Sequence, residues 1–190
     1  MSDLFGSESV EALSRTVSQL IRVGEVSSID PVKHTARVTF PEEDNSTSYD
    51  LAVLVRNSYD NHDYNMPDIG EDVLCLFLPN GHEDGFILGS FYAGQIKPPT
   101  TNKDERKVEF SDGTTVTYNR STHELDVVIE GTQIHADRQT VDITTPKTVN
   151  ITTTDATVTA SGNIKLSAGD NIDIKAGGVV TIQGSTVNIN

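Results

Sequence analysis

Residues 141–190 read VDITTPKTVNITTTDATVTASGNIKLSAGDNIDIKAGGVVTIQGSTVNIN, and an apolar–polar–apolar triplet recurs in them at steps of six to nine residues. Alternation with a period of two is typical of a β-strand and not of a helix. Gly, Asn, Asp and Ser fill the spacers, which indicates a corner after each short strand. The pattern predicts a regular β-prism with its axis or core formed by Val141, Ile143, Val149, Ile151, Ile164, Leu166, Ile172, Ile174, Val180, Ile182, Val187 and Ile189.

A single copy of this ribbon has too little apolar surface to be stable alone. Each repeat offers two aliphatic side chains, whose burial returns less free energy than the backbone entropy that is lost when one repeat is ordered. A single chain that coiled on itself would use all of its repeats in little more than two coils. Three chains around one axis would instead supply one face each at every level. We therefore expect a homotrimer, with a single-chain solenoid as the alternative.

The chain ahead of the prism divides into three further segments. Residues 1–21 predict a short amphipathic helix, N-capped by Ser7 and ended by Gly24, that packs on its own domain or docks on a neighbouring subunit. Residues 95–106 are polar and Pro-rich, which predicts a linker to a trimeric β-helix of residues 107–190 that opens with an Asp112-Gly113 hairpin.

Residues 22–94 differ from both, because short β-runs alternate there with turn residues. Five such runs predict an OB-like five-stranded barrel, with a generic β-sandwich as the alternative. The fold class is therefore expected to be all-β. The runs are Val23–Ile29, Thr35–Phe40, Tyr49–Arg56, Asp72–Leu78 and Gly85–Tyr92.

Composition excludes several classes of protein. The formal net charge of −14 disfavours binding to nucleic acid or anionic lipid headgroups. Cys75 is the single cysteine, so no disulfide framework is expected, and its two leucine neighbours predict a buried core thiol. No apolar run has the length of a membrane span, and residues 1–4 lack a secretory leader pattern. We expect a chain that is made in the cytosol and stays soluble.

The histidines do not have the spacing of a metal site. They occur singly, with no His-x-His or His-x-x-x-His pair, and loop or strand-edge positions are expected for His34, His62, His82, His123 and His135. The polar clusters 60–63 and 82–84 fall in predicted turns. No nucleophile has a base nearby in sequence, and no phosphate-binding loop follows a strand. We expect no catalytic residues, no metal site, no cofactor and no enzymatic activity.

Several features follow one another along the chain: the short helix, the barrel segments 24–26, 36–40, 67–73 and 85–92, the hairpin at 110–114 and the repetitive tail. This order resembles the baseplate assembly protein V family, the central spike of contractile phage tails and R-type bacteriocins, which is related to type VI secretion spike proteins. The resemblance covers nearly the whole chain. It implies a trimeric spike that seals the tail tube and pierces the target envelope, in a virion or injection particle assembled in the bacterial cytoplasm. It also implies baseplate hub and tail-tube proteins as partners.

The tip departs from the pattern of this family. Members often end in a His-x-His strand that binds a metal ion, whereas this chain ends Val187-Asn188-Ile189-Asn190. Three copies of Asn188 and Asn190 would hydrogen-bond around the axis or present a blunt end to a separate cap, and we expect a separate PAAR-like cap protein.

Two other functions are alternatives to the spike. A trimeric receptor-binding or carbohydrate-binding tail fibre is the alternative, but sugar binding favours exposed aromatic rings, and none follows Tyr118. A hydrolase carried on the spike is disfavoured, because the linker leaves no room for a catalytic domain.

Overall fold

The computed structural model describes residues 7–79 and 84–189, and the chain divides into two units, residues 1–144 and 145–190. Across these described residues the fold is mostly β, with one helix, α1 (Ser7–Leu20), and a short 3₁₀ turn at Pro41–Glu43. The strands are β1 (Ile21–Asp30), β2 (Thr35–Phe40), β3 (Ser46–Thr47), β4 (Leu51–Val53), β5 (Asp72–Phe77), β6 (Gly85–Ser90), β7 (Glu105–Glu109), β8 (Thr115–Asn119), β9 (Glu124–Ile129), β10 (Thr132–Ala136) and β11 (Val141–Thr144).

Five of these strands close into a barrel. Around the barrel the order is β1-β5-β6-β4-β2, and β2 pairs with β1 to complete the ring. The pairs are antiparallel except for β4 and β6, which run parallel. The two-residue strand β3 pairs with β2 outside the ring. Each predicted β-run contributes one strand of the ring, so the OB-like barrel is confirmed.

Alternating side chains fill the barrel. In β2 and β5 every second residue is buried, as expected for strands with one face toward a core. Cys75 is fully buried among them, and its burial raises the pKa of the thiol to about 11, which confirms the predicted core cysteine. The buried core consists of Val26, Ala36, Val38, Phe40, Leu51, Val73, Cys75, Phe77 and Ile87.

Gly24 lies inside a strand of the barrel and does not end the helix. The prediction that it ends the helix is wrong, because α1 ends at Leu20 and Gly24 lies within β1. A Cβ atom at this residue would lie 2.5 Å from the carbonyl oxygen of Thr39 and 2.8 Å from a ring carbon of Phe40. Gly24 therefore allows β1 to approach β2 closely where the barrel closes.

A second sheet follows the barrel. Strands β7 to β11 form an antiparallel meander in the order β11-β10-β9-β8-β7, and the first of them begins at Glu105, inside the segment expected to be a linker. The predicted hairpin joins β7 to β8. Gly113 in its turn has φ 84°, and the Phe110 N–H donates to the Thr114 carbonyl at 2.9 Å.

Residues 145–189 are the described part of the second unit. No strand pairing forms between these residues, and the chain bends at 146–147, 154, 161–162, 169–170, 177–178 and 185. Each bend lies in a spacer between two apolar triplets. The bends therefore fall in the spacers where the sequence predicts corners, and the prism itself stays a prediction.

Candidate functional site

The repetitive tail keeps its aliphatic side chains on the surface. Every described residue from 146 to 189 is exposed, and the exposed fraction of the predicted axis residues runs from 47% at Val180 and Val187 to 87% at Ile189. The structure does not bring these residues together within one chain. A single-chain solenoid would have buried them, so the described tail does not adopt that arrangement.

The tip residues are described only in part. Asn188 is exposed, like the rest of the tail. Asn190 lies outside the described residues, so its predicted place at the tip stays a prediction.

A second apolar surface lies on the meander β7–β11. We call it the apolar sheet face. It consists of two neighbouring rows set by the strand register, and most of its larger side chains are partly to largely exposed. One row contains Val108, Val116, Val127, Ile134 and Ile143, and the other begins at Arg106 of β7 and continues through Tyr118, Leu125, Ala136 and Val141.

The opposite face of the meander is mostly polar and contains a hydrogen-bonded histidine–aspartate pair. The register places His135 of β10 directly beside Asp126 of β9, and His135 Nδ1 lies 2.7 Å from Asp126 Oδ1. The hydrogen bond to this carboxylate is the main cause that raises the pKa of His135. The carboxylate of Asp137 lies 3.9 Å from the other ring nitrogen and adds to the same effect.

Sequence reasoning missed this pair. The two side chains are nine residues apart, and they meet only because the turn at Glu130-Gly131 sets the register of the β9–β10 hairpin. The expectation of a loop or strand-edge position is wrong for His135, since β10 is an interior strand of its sheet.

The other described histidines lie in turns and loops, as expected. His34 and His123 have positive φ values of 57° and 64°, and His62 lies in the long loop between β4 and β5. His82 lies outside the described residues, together with Glu83 of the same predicted cluster.

The cluster at 60–63 is held by its own loop. Asp63 accepts hydrogen bonds from Arg56 Nε at 3.2 Å and from Asn57 Nδ2 at 3.3 Å, so its carboxylate already has partners. In the part of the chain that the structure describes, no group of three or more His, Cys, Asp or Glu residues could hold a metal ion.

An apolar groove of about 510 Å³ lies on the outside of the barrel, along β1, β5 and β6. A bulge helps to form it: the register of β5 with β6 skips Leu88, which lies between the partners of Leu74 and Cys75. The groove is lined by Val23, Leu74, Leu88, Gly89, Ser90 and Phe91.

Across residues 7–79 and 84–189, no helix is long and apolar enough to cross a bilayer.

Comparisons with known proteins add no assignment. No protein-family model matches the chain, and no curated protein matches it either. The exposed aliphatic repeats, the apolar sheet face and the barrel are therefore the basis for a functional proposal.

Proposed function

We propose that this chain is the central spike of a contractile tail or injection apparatus. Three copies form the spike, which seals the tail tube and pierces the envelope of the target cell when the sheath contracts. The principal support is the tail itself, in which regularly spaced aliphatic residues remain exposed along the whole described length from 146 to 189.

Exposure on this scale calls for a partner surface. Soluble monomers seldom present extended apolar patches, because each exposed aliphatic side chain forgoes the free energy that burial would return. The short triplets also leave backbone N–H and C=O groups without strand partners. Identical copies around one axis provide strand partners for these backbone groups, because the triplets of different copies pair with one another. They also bury the aliphatic residues, which then face inward.

The apolar sheet face extends the same argument to residues 105–144. A sheet with one apolar and one polar face is stable when the apolar face packs on another surface. Three copies of this face enclose an apolar core between them. Its polar face then faces the solvent, with Asp126 and His135 on it.

Such an assembly suits mechanical work. Strands that pair across all three chains leave no free edges, so local fraying is suppressed.

The barrel and the tip of the chain make the contacts of the spike with other proteins. The barrels form a collar that meets baseplate hub and tail-tube proteins, in a particle assembled in the bacterial cytoplasm. The tail carries a separate cap protein on a tip that includes Asn188.

Two measurements test the proposal. Native mass spectrometry of the full chain is expected to give a mass of three copies, and a folded single copy would contradict it. Antibody-fragment labelling of intact particles in the electron microscope is expected to mark the tail axis at the baseplate end. Label on lateral fibres would instead support a receptor-binding fibre protein.

A further inference from the structure

Helix α1 presents a narrow apolar stripe that its own barrel leaves uncovered. Val10, Leu13, Val17 and Leu20 follow one another at spacings of three, four and three residues. Leu20 is partly buried at the junction with β1, but the side chains of the other three are each more than half exposed.

This spacing is that of the a and d positions of a coiled coil. A helix that packs on its own domain usually has a wider apolar face, which includes an e or g position as well. Val10 and Val17 occupy a positions, and Leu13 and Leu20 occupy d positions. In this assignment Ser14 is at an e position beside the seam, and Glu11 is at a b position on the outer surface of the helix. The stripe therefore has the width of a helix–helix seam.

The connection to the barrel also keeps α1 away from the groove beside it. The helix ends at Leu20 and β1 begins at Ile21, with no intervening loop. Val23 of the groove follows two residues later. A helix that folded back over this groove would need a reversal of the chain in this short span, whereas Ile21 and Arg22 are already paired with β5.

We infer that the α1 helices of three copies pack against one another as a short parallel three-helix coiled coil. The inference rests on the proposed trimer, because rotation about one axis brings the same stripe of each copy to the centre and points all helices in one direction. The uncharged Ser14 beside the seam lets the copies approach without like-charge contact, although each chain carries −14. An isolated helix of this length is marginal in water, so α1 gains its stability from the bundle.

The copy number is set by the tail and not by this helix. Val at a with Leu at d is a combination that free parallel dimers prefer. Two heptads are also too short to specify an oligomer alone. The bundle therefore forms within an assembly that the tail holds together.

Cysteine crosslinking of the full chain tests the inference. Val17→Cys places a thiol in the seam, and Gln19→Cys places one on the exposed outer surface of the same turn as a matched control. Cys75 does not interfere, because it is fully buried and its pKa is raised to about 11. With a short bifunctional thiol reagent, Val17→Cys is expected to give the two-chain product at least roughly tenfold faster than the control, because the effective concentration in the seam is higher.

The outcomes separate this inference from the proposed function. A mass of three copies with equal crosslinking rates for the two variants would overturn the helical bundle and leave the trimer intact. A crosslink between Val17→Cys and Leu88→Cys in the double variant would also overturn it, since the helix would then lie in the groove. A mass of one copy would remove the trimer and the bundle together. Leu13→Cys repeats the test if Val17→Cys does not yield folded protein.

Discussion

The guanidinium carbon of Arg22 lies 4.2 Å from the centre of the Phe40 ring and 4.8 Å from that of Phe77. The two rings, which belong to the last residues of β2 and of β5, meet edge to face at 5.8 Å. Glu43 completes the arrangement, because its Oε1 accepts a hydrogen bond from Arg22 Nε at 2.7 Å. A charged side chain thus covers two core aromatic rings while its charge stays paired.

Replacing this side chain is expected to weaken the barrel. Arg22→Ala removes the cation–π contacts and the ion pair with Glu43, and we expect the free energy of unfolding to fall by about 1–3 kcal/mol. Arg22→Lys keeps the charge but loses the guanidinium group that contacts both rings, so its stability should fall between those of the wild type and Arg22→Ala. Urea denaturation of the three proteins measures the order. Equal midpoints would show that the stacking contributes nothing.

Gly24→Ala is expected to destabilise the barrel through a steric conflict. The new methyl group would lie 2.5 Å from the Thr39 carbonyl oxygen and 2.6 Å from a methyl carbon of Val38, so β1 and β2 must separate. We expect a loss of about 2–4 kcal/mol. Glu25→Ala, one residue along on the exposed face of β1, is the control and should cost far less. Similar thermal midpoints for the two variants would refute the close-approach role of Gly24.

The Asp126–His135 pair is expected to make stability depend on pH. The fold raises the pKa of His135 above 6.5, chiefly through the hydrogen bond to Asp126. The stabilisation from the protonated ring is therefore complete below the unfolded-state pKa, and it is lost as pH rises through the higher folded-state pKa.

Urea midpoints measured from about pH 5.5 to about pH 8.5 check this expectation. The wild type should lose stability over the upper part of this range, whereas Asp126→Asn should lose less because its histidine no longer has the carboxylate that accepts its hydrogen bond. Asp137 and Glu124 also act on the ring, so a residual slope is expected. Parallel profiles for the two proteins would argue against the pair.

Ile174→Asp is expected to abolish the assembly of the tail. If the aliphatic residues face a shared axis, three carboxylates would be buried together, and neither water nor a counter-charge would compensate them. Thr181→Asp introduces the same charge at the central, polar position of the next triplet and should leave the trimer intact. Native mass spectrometry with thermal challenge compares the two. A heat-resistant trimer of Ile174→Asp would contradict an apolar axis.

Much of the barrel could be predicted from local signals. Thr35–Phe40 was delimited correctly, because alternation and flanking turn residues are encoded within a few positions. The run Tyr49–Arg56 was too long, since only Leu51–Val53 pairs with neighbours. Propensity does not reveal where a neighbouring strand ends, so strand bounds depend on tertiary pairing.

The candidate surfaces also differ in whether they can be recognised from the sequence. The aliphatic repeat of the tail is visible in the sequence, because its period is local. The apolar sheet face and the Asp126–His135 pair are not, because each depends on which residues the register places side by side. The groove beside Leu88 likewise needs the bulge in β6.

The sequence by itself determined that this chain is all-β, that its first part holds five short strands and that its tail alternates aliphatic triplets with corners. These properties follow from period, turn chemistry and composition, which act over a few residues. Only the tertiary structure decided that β1 meets β2 to close the ring, that Gly24 serves strand approach, and that Arg22 lies over two aromatic rings. Those contacts join residues that are distant along the chain, and their free energy exists only after the backbone has brought them together.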